Sequence, residues 1–221
     1  MGRTLDAVGE HGVLDLPIGR TPFGLLVQEL IGYQQLAYAL ADDRTLVHRM
    51  IETLTEGFWE RVRVVSELPA RIVIITDHAD EHLISPRQFK DYCMPCYQEA
   101  CARLHEAGKL VSVHLDGNIR SLLDLLPQTG FDLLDGCTPA PMGNYQPEDL
   151  GRVVGPALKT YCGVPSALFS TGRPTEEILT YGRQIIAALT PNVILNVGDV
   201  LPPDGDIEQV IALGHMAAGQ S

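Results

Sequence analysis

The 221-residue chain has no apolar run approaching the roughly 18–20 residues that span a bilayer. It begins Met1-Gly2-Arg3-Thr4-Leu5-Asp6, without the apolar core of a signal peptide and without the Ser or Thr of a myristoylation site. Basic residues are scarce, 16 against 28 acidic, for a formal net charge of −12. A broad cationic footprint is therefore missing, and nucleic acid and anionic membranes are poor partners. Cysteine is limited to five, an odd number in a chain without a secretion signal. The thiols are read as reduced, and the cytoplasm is the expected compartment. No linker, charge block or low-complexity tract divides the sequence, so 1–221 is expected to be one domain.

Short apolar, β-branched runs alternate with helical patterns. Strands are expected at 71–77, 110–114, 131–135, 157–162 and 193–197, with a doubtful one near 13–16. Helices are expected at about 25–40, 45–68, 86–105, 119–126, 147–153, 175–189 and 207–217. Strand–helix units at this pitch imply a parallel sheet, and strands apolar on both faces imply burial on both sides. The glycine-rich fingerprint of a dinucleotide fold follows no strand. The fold class is therefore α/β, of the (β/α)8 barrel type, with too few strands for a full circuit. An open, doubly wound sheet is the alternative. The free edges of an incomplete barrel predict oligomerisation.

In a βα fold the chemistry gathers at the carboxyl ends of the strands. Those ends read Asp77-His78-Ala79-Asp80, His114-Leu115-Asp116-Gly117-Asn118, Asp135-Gly136-Cys137, Tyr161-Cys162-Gly163 and Asn196-Val197-Gly198-Asp199. The spacing His114-x-Asp116 can put an imidazole and a carboxylate on one side of an extended segment, with Asp199 as a third metal ligand. Spacing alone favours a helix cap at Asp116 and a backbone-bonded His114. Asp77 is read as a functional acid or base. His78, Asp80, Glu81 and His82 fit a solvated acidic loop as well as a site. Cys93-x-x-Cys96 sits inside a helical pattern and reads as core, with Pro95 expected to kink the helix. Cys137 and Cys162 fit either thiolate ligands or small buried hydrophobes. The loop 171–177 could bind an anion at a helix N-terminus, and Arg20 could grip a carboxylate.

From about Pro17 to Met216 the order of motifs resembles the uroporphyrinogen decarboxylase superfamily, which includes cobamide-dependent methyltransferases. The marks are Gly-Arg-Thr-Pro-Phe at 19–23, Tyr38 to Asp43, Ile-Thr-Asp at 75–77, and Ile-Ser-Pro at 84–86 with Phe89 and Pro95. They continue with Val-His-x-Asp-Gly-Asn at 113–118, Thr129 to Asp132, Gly172 to Glu177, and Ile194 to Asp199 followed by Leu201-Pro202. The resemblance implies a barrel with its site at the carboxyl mouth, short of the first βα units. The decarboxylases carry key arginines in that part, and a histidine at the slot held here by Asp199. The methyltransferase branch binds zinc through His-x-Cys and a later Cys.

By that resemblance the metal ligands are His114, Asp116 and Asp199, with zinc the expected ion. Asp77, His114 and Asp199 are the catalytic candidates. Asp77, Asp80, Asn118 and Cys162 are the candidate substrate contacts. The implied activity is metal-assisted demethylation of a small substrate, an oxygen-bearing one suiting two carboxylates better than a thiol. The cobamide would come on a separate corrinoid protein. A porphyrin carboxy-lyase and a non-catalytic partial barrel are the alternatives.

Overall fold

The computed structural model describes residues 2–219. Six parallel strands follow one another in sequence order across a single sheet: β1 (Asp15–Gly19), β2 (Ile72–Ile75), β3 (Leu110–His114), β4 (Leu133–Cys137), β5 (Lys159–Val164) and β6 (Val193–Val197). Each strand pairs only with its neighbours in sequence, the pattern of repeated right-handed βα units. The sheet is open, a partial barrel: among the described residues no strand joins β1 to β6. The doubtful first strand is real, shifted two residues toward the C-terminus.

The helices are α1 (Gly2–Val8), α2 (Pro22–Leu25), α3 (Gly32–Asp42), α4 (Arg44–Ser66), α5 (Pro86–Gln88), α6 (Met94–Glu106), α7 (Pro147–Gly151), α8 (Thr175–Leu189) and α9 (Ile207–Ala217). Between α5 and α6 the chain does not break. It widens into a π turn at Phe89–Cys93, where Met94 N–H donates to the carbonyl of Phe89. Pro95 has no N–H to give, and it falls directly after this wide turn, in the first turn of α6. Ser85 starts this stretch with a capping box, its side chain and that of Gln88 each accepting the other's backbone N–H. The segment 120–128 is a 3₁₀ helix containing Pro127, and three residues per turn stack Leu122 on Leu125 and Leu123 on Leu126, all buried.

The two faces of the sheet differ. The helix-covered face carries Val73, Ile75, Val111, Val113, Leu134, Thr160, Cys162 and Val164, all of them fully buried. Except for Thr160, these side chains join α4, α6 and α8 in one apolar cluster. The concave face holds Ile72, Leu110, Ser112, Leu133, Tyr161 and Ile194 by the period-2 alternation of each strand. Leu110 is 45% exposed and Ile194 53%. Two-sided burial, expected from strands apolar on both faces, is thus corrected in part: Leu110 and Ile194 are uncovered, while Ile74 and Ser112 on the same face stay buried. A cavity of about 290 Å³ lies there, lined by Ser112, Asp135 and Tyr161 among apolar neighbours.

Candidate functional site

Register decides which strand-end side chains meet. In the β3–β4 ladder His114 lies opposite Asp135. The β4–β5 ladder slips between Leu134 and Cys137, so Asp135 and Gly136 together oppose Tyr161. Such a bulge bends a strand end and re-aims its side chains. Gly136 takes φ +77, and a Cβ there would stand 2.8 Å from Cε1 of His114. The imidazole fits against bare backbone, and its Nδ1 lies 2.7 Å from Oδ2 of Asp135.

Two loops bring the remaining groups. His78 follows β2 and Asp116 follows β3, and Nδ1 of His78 hydrogen-bonds Oδ1 of Asp116. The rings of His78 and His114 meet edge to face with centroids 5.4 Å apart. Nε2 of His114 lies 3.9 Å from Oδ2 of Asp116. The loops are fastened to each other by Asp80, whose Oδ2 accepts from Asn118 N–H at 2.9 Å and from the Asn118 side chain at 3.2 Å. Glu81 adds a second tie, accepting from Ser121 N–H and from Nδ2 of Asn144, each at 2.7 Å.

His78, His114 and Asp116 each offer a ligand atom, all within 4.8 Å of one another, and all three side chains are part-exposed. Ligands of a zinc-like ion sit about 2.0–2.2 Å from it and so within about 3–4 Å of each other. Small side-chain rotations close that gap. The donor set fits a divalent cation: two imidazoles and one carboxylate is a known open-site composition. The hydrogen bond to Asp135 raises the pKa of His114, with the charges of Asp135, Asp116 and Asp199 adding to it against partial burial.

Of the expected ligands, the structure brings His114 and Asp116 together with His78. Asp199 stands outside the three-residue group, exposed at the end of β6 with φ +59, and reaches His114 through its charge alone. His78, which fits a solvated loop as well as a site by sequence, stands in that group. Asp77 is 1% exposed, and its carboxylate accepts hydrogen bonds from Thr21 and Tyr97. Cys162 lies on the helix-covered face with no exposure, away from the concave side. Asp80 and Asn118, expected as substrate contacts, bond to each other and lock the two ligand-bearing loops. Arg20 ion-pairs with Glu29 at 2.8 Å and donates to the carbonyl of Thr76. At 171–177, Arg173 pairs with Glu177 at 3.0 Å, and the start of α8 at Pro174 carries no side-chain cap. All five cysteines are free thiols.

Sequence reasoning missed His78 and Asp135. His78 was legible only as one of several polar residues in a loop. Asp135 had a signal: it closes a strand adjacent to the one ending in His114, with a glycine behind it.

Residues 21–218 match the family model described as uroporphyrinogen decarboxylase (URO-D). The chain matches no curated protein in sequence. Among solved structures it is similar to a methyltransferase from Methanosarcina mazei, with TM-score 0.78, 18% identity, and coverage of 97% of this chain and 61% of that one. It is also similar to a B12-independent methionine synthase from Shewanella sp. W3-18-1 in complex with selenomethionine, with TM-score 0.54, 11% identity, and coverage of 95% and 62%. The chain therefore spans less than two thirds of the length of either. At these identities the likeness establishes the fold, a partial barrel of the same type, and the sequence match establishes the kinship. The chain belongs to the uroporphyrinogen decarboxylase family.

Proposed function

We propose that the chain carries out metal-assisted methyl transfer, removing a methyl group from a small substrate for delivery to a cobamide on a separate corrinoid protein. The observation that carries this reading is the convergence of His78, His114 and Asp116 at the carboxyl rim of β2 and β3. A methyltransferase-like role agrees with the solved structures that share the fold.

In this reading Nε2 of His114, a ring nitrogen of His78 and a carboxylate oxygen of Asp116 hold a divalent cation, zinc being the expected ion. The cation, when bound, supplies a Lewis acid that stabilises negative charge on the heteroatom losing its methyl group. One carboxylate in the ligand set, against two in the predicted set, leaves the site more electrophilic, so thiol and phenol leaving groups both suit it. The substrate approaches from the part-exposed side of the cluster. In this reading Asp199, exposed and acting on His114 through its charge, would receive a hydroxyl or a cationic group of the substrate. The unpaired edges of β1 and β6 support self-association, which light scattering would read directly.

The carboxy-lyase reading needs cations to bind a polycarboxylate. The rim instead gathers Asp116, Asp135 and Asp199, which repel one. Metal analysis of freshly purified protein tests the proposal. About one equivalent of zinc or a similar ion is expected, lost in His114→Ala. Protein that neither retains nor binds a divalent ion, or that converts uroporphyrinogen to coproporphyrinogen without one, overturns it.

A further inference from the structure

We infer that Asp135 is a positioning residue, holding the His114 imidazole in the tautomer and orientation that turn Nε2 toward His78 and Asp116. The inference rests on the metal reading above for its purpose, but its geometry stands alone.

Four observations converge. Oδ2 of Asp135 lies 2.7 Å from Nδ1 of His114, a distance at which a neutral ring donates its Nδ1–H. With the proton there, the lone pair is on Nε2, the nitrogen that faces Asp116 at 3.9 Å. The two residues are register partners on adjacent strands, and Asp135's own carbonyl accepts from Leu115 N–H at 2.8 Å, so the backbone beneath both side chains is fixed. The slip at Asp135–Gly136 turns that strand end, and Gly136, lacking a Cβ, leaves room for the ring. A carboxylate behind a ligating imidazole sets its tautomer and raises its basicity. Asp135 is only 24% exposed at its side chain, so water competes weakly for the bond.

The experiment uses ¹⁵N-histidine-labelled, metal-free protein at a pH where the ring is neutral, read by long-range ¹H–¹⁵N correlation. His114 is expected as the Nδ1–H tautomer in the unaltered protein and in Asp135→Asn, whose side-chain carbonyl can still accept. In Asp135→Ala the ring is expected to move to the Nε2–H form. In parallel, zinc titration is expected to weaken about 10–100-fold in Asp135→Ala and to recover most of that in Asp135→Asn. Circular dichroism checks that both variants fold. If Asp135→Ala does not fold, the tautomer in the unaltered protein and in Asp135→Asn decides.

An Nε2–H tautomer in the unaltered protein overturns the inference. So does zinc affinity in folded Asp135→Ala equal to that of the unaltered protein while His114→Ala loses the metal. If no form binds zinc, the metal reading fails, and the tautomer still decides whether Asp135 positions the ring.

Discussion

Thr21 gives both its backbone N–H and its hydroxyl to one carboxylate, that of Asp77, at 3.0 and 2.5 Å. The Tyr97 hydroxyl donates to the same group at 2.8 Å. Thr21 also caps α2 by accepting from Gly24 N–H at 3.2 Å, and Gly24 packs so closely that a Cβ there would stand 2.2 Å from Oδ1 of Asp77. Asp77 thus joins the end of β2 to the start of α2 and to the first turn of α6. Asp77→Ala strands three buried donors and is expected to cost about 2–4 kcal/mol by urea unfolding. Zinc affinity in the folded variant is expected to stay within about twofold. A large loss of metal with stability intact would return Asp77 to the site.

At the other side of the rim, β5 and β6 touch without side chains. A Cβ on Gly163 would fall 2.1 Å from Cα of Gly198, backbone against backbone with nothing free to rotate away. Gly163→Ala must therefore part the two strand ends. We expect a loss of about 1–3 kcal/mol or more, read as a lowered melting temperature. Gly155→Ala, where a Cβ meets nothing within 4 Å, serves as the control with little change.

The five thiols divide from the chemistry by burial. Desolvation pushes Cys96, Cys101 and Cys137 up to about 12, and Cys93 and Cys162 upward as well. The reactive thiolate is scarce at neutral pH. Iodoacetamide at pH 8 is expected to label the native protein slowly and all five cysteines rapidly in denaturant. Fast native labelling of any one would mark a local opening that exposes it.

Much of this was readable before any coordinates, for identifiable reasons. β3, β6, α8 and α9 follow from local pattern, because an apolar β-branched run or a 3.6-residue stripe reports burial directly. His114 and Asp116 were legible because two residues apart on an extended segment already share a side. What tertiary placement alone decides was not legible. Nothing local says that the loop carrying His78 folds over β3, a geometry set by the Asp80–Asn118 bond. Nothing local says that β4 slips by one residue at Asp135, or that Asp77 turns inward. Nothing local says that Asp199, two residues past β6, falls outside the group that His78, His114 and Asp116 form.

The His114–Asp135 pair also sets a pH dependence whose sign is fixed. The hydrogen bond that His114 donates to Asp135, more than any other cause, raises the folded pKa of His114 above its ordinary 6.5. A histidine raised on folding binds its proton more tightly in the native state. The stability it contributes is then fully present below about pH 6.5 and is lost as pH rises through the raised folded value. In metal-free protein, the gap in unfolding free energy between the unaltered chain and Asp135→Asn should be widest near pH 6 and shrink by pH 9. Zinc competes with that same proton for Nε2, so its affinity should climb over the interval in which the stability gap closes. A gap that widens toward alkaline pH would mean that Asp135 stabilises the neutral ring more than the charged one, and the order of the two effects would reverse.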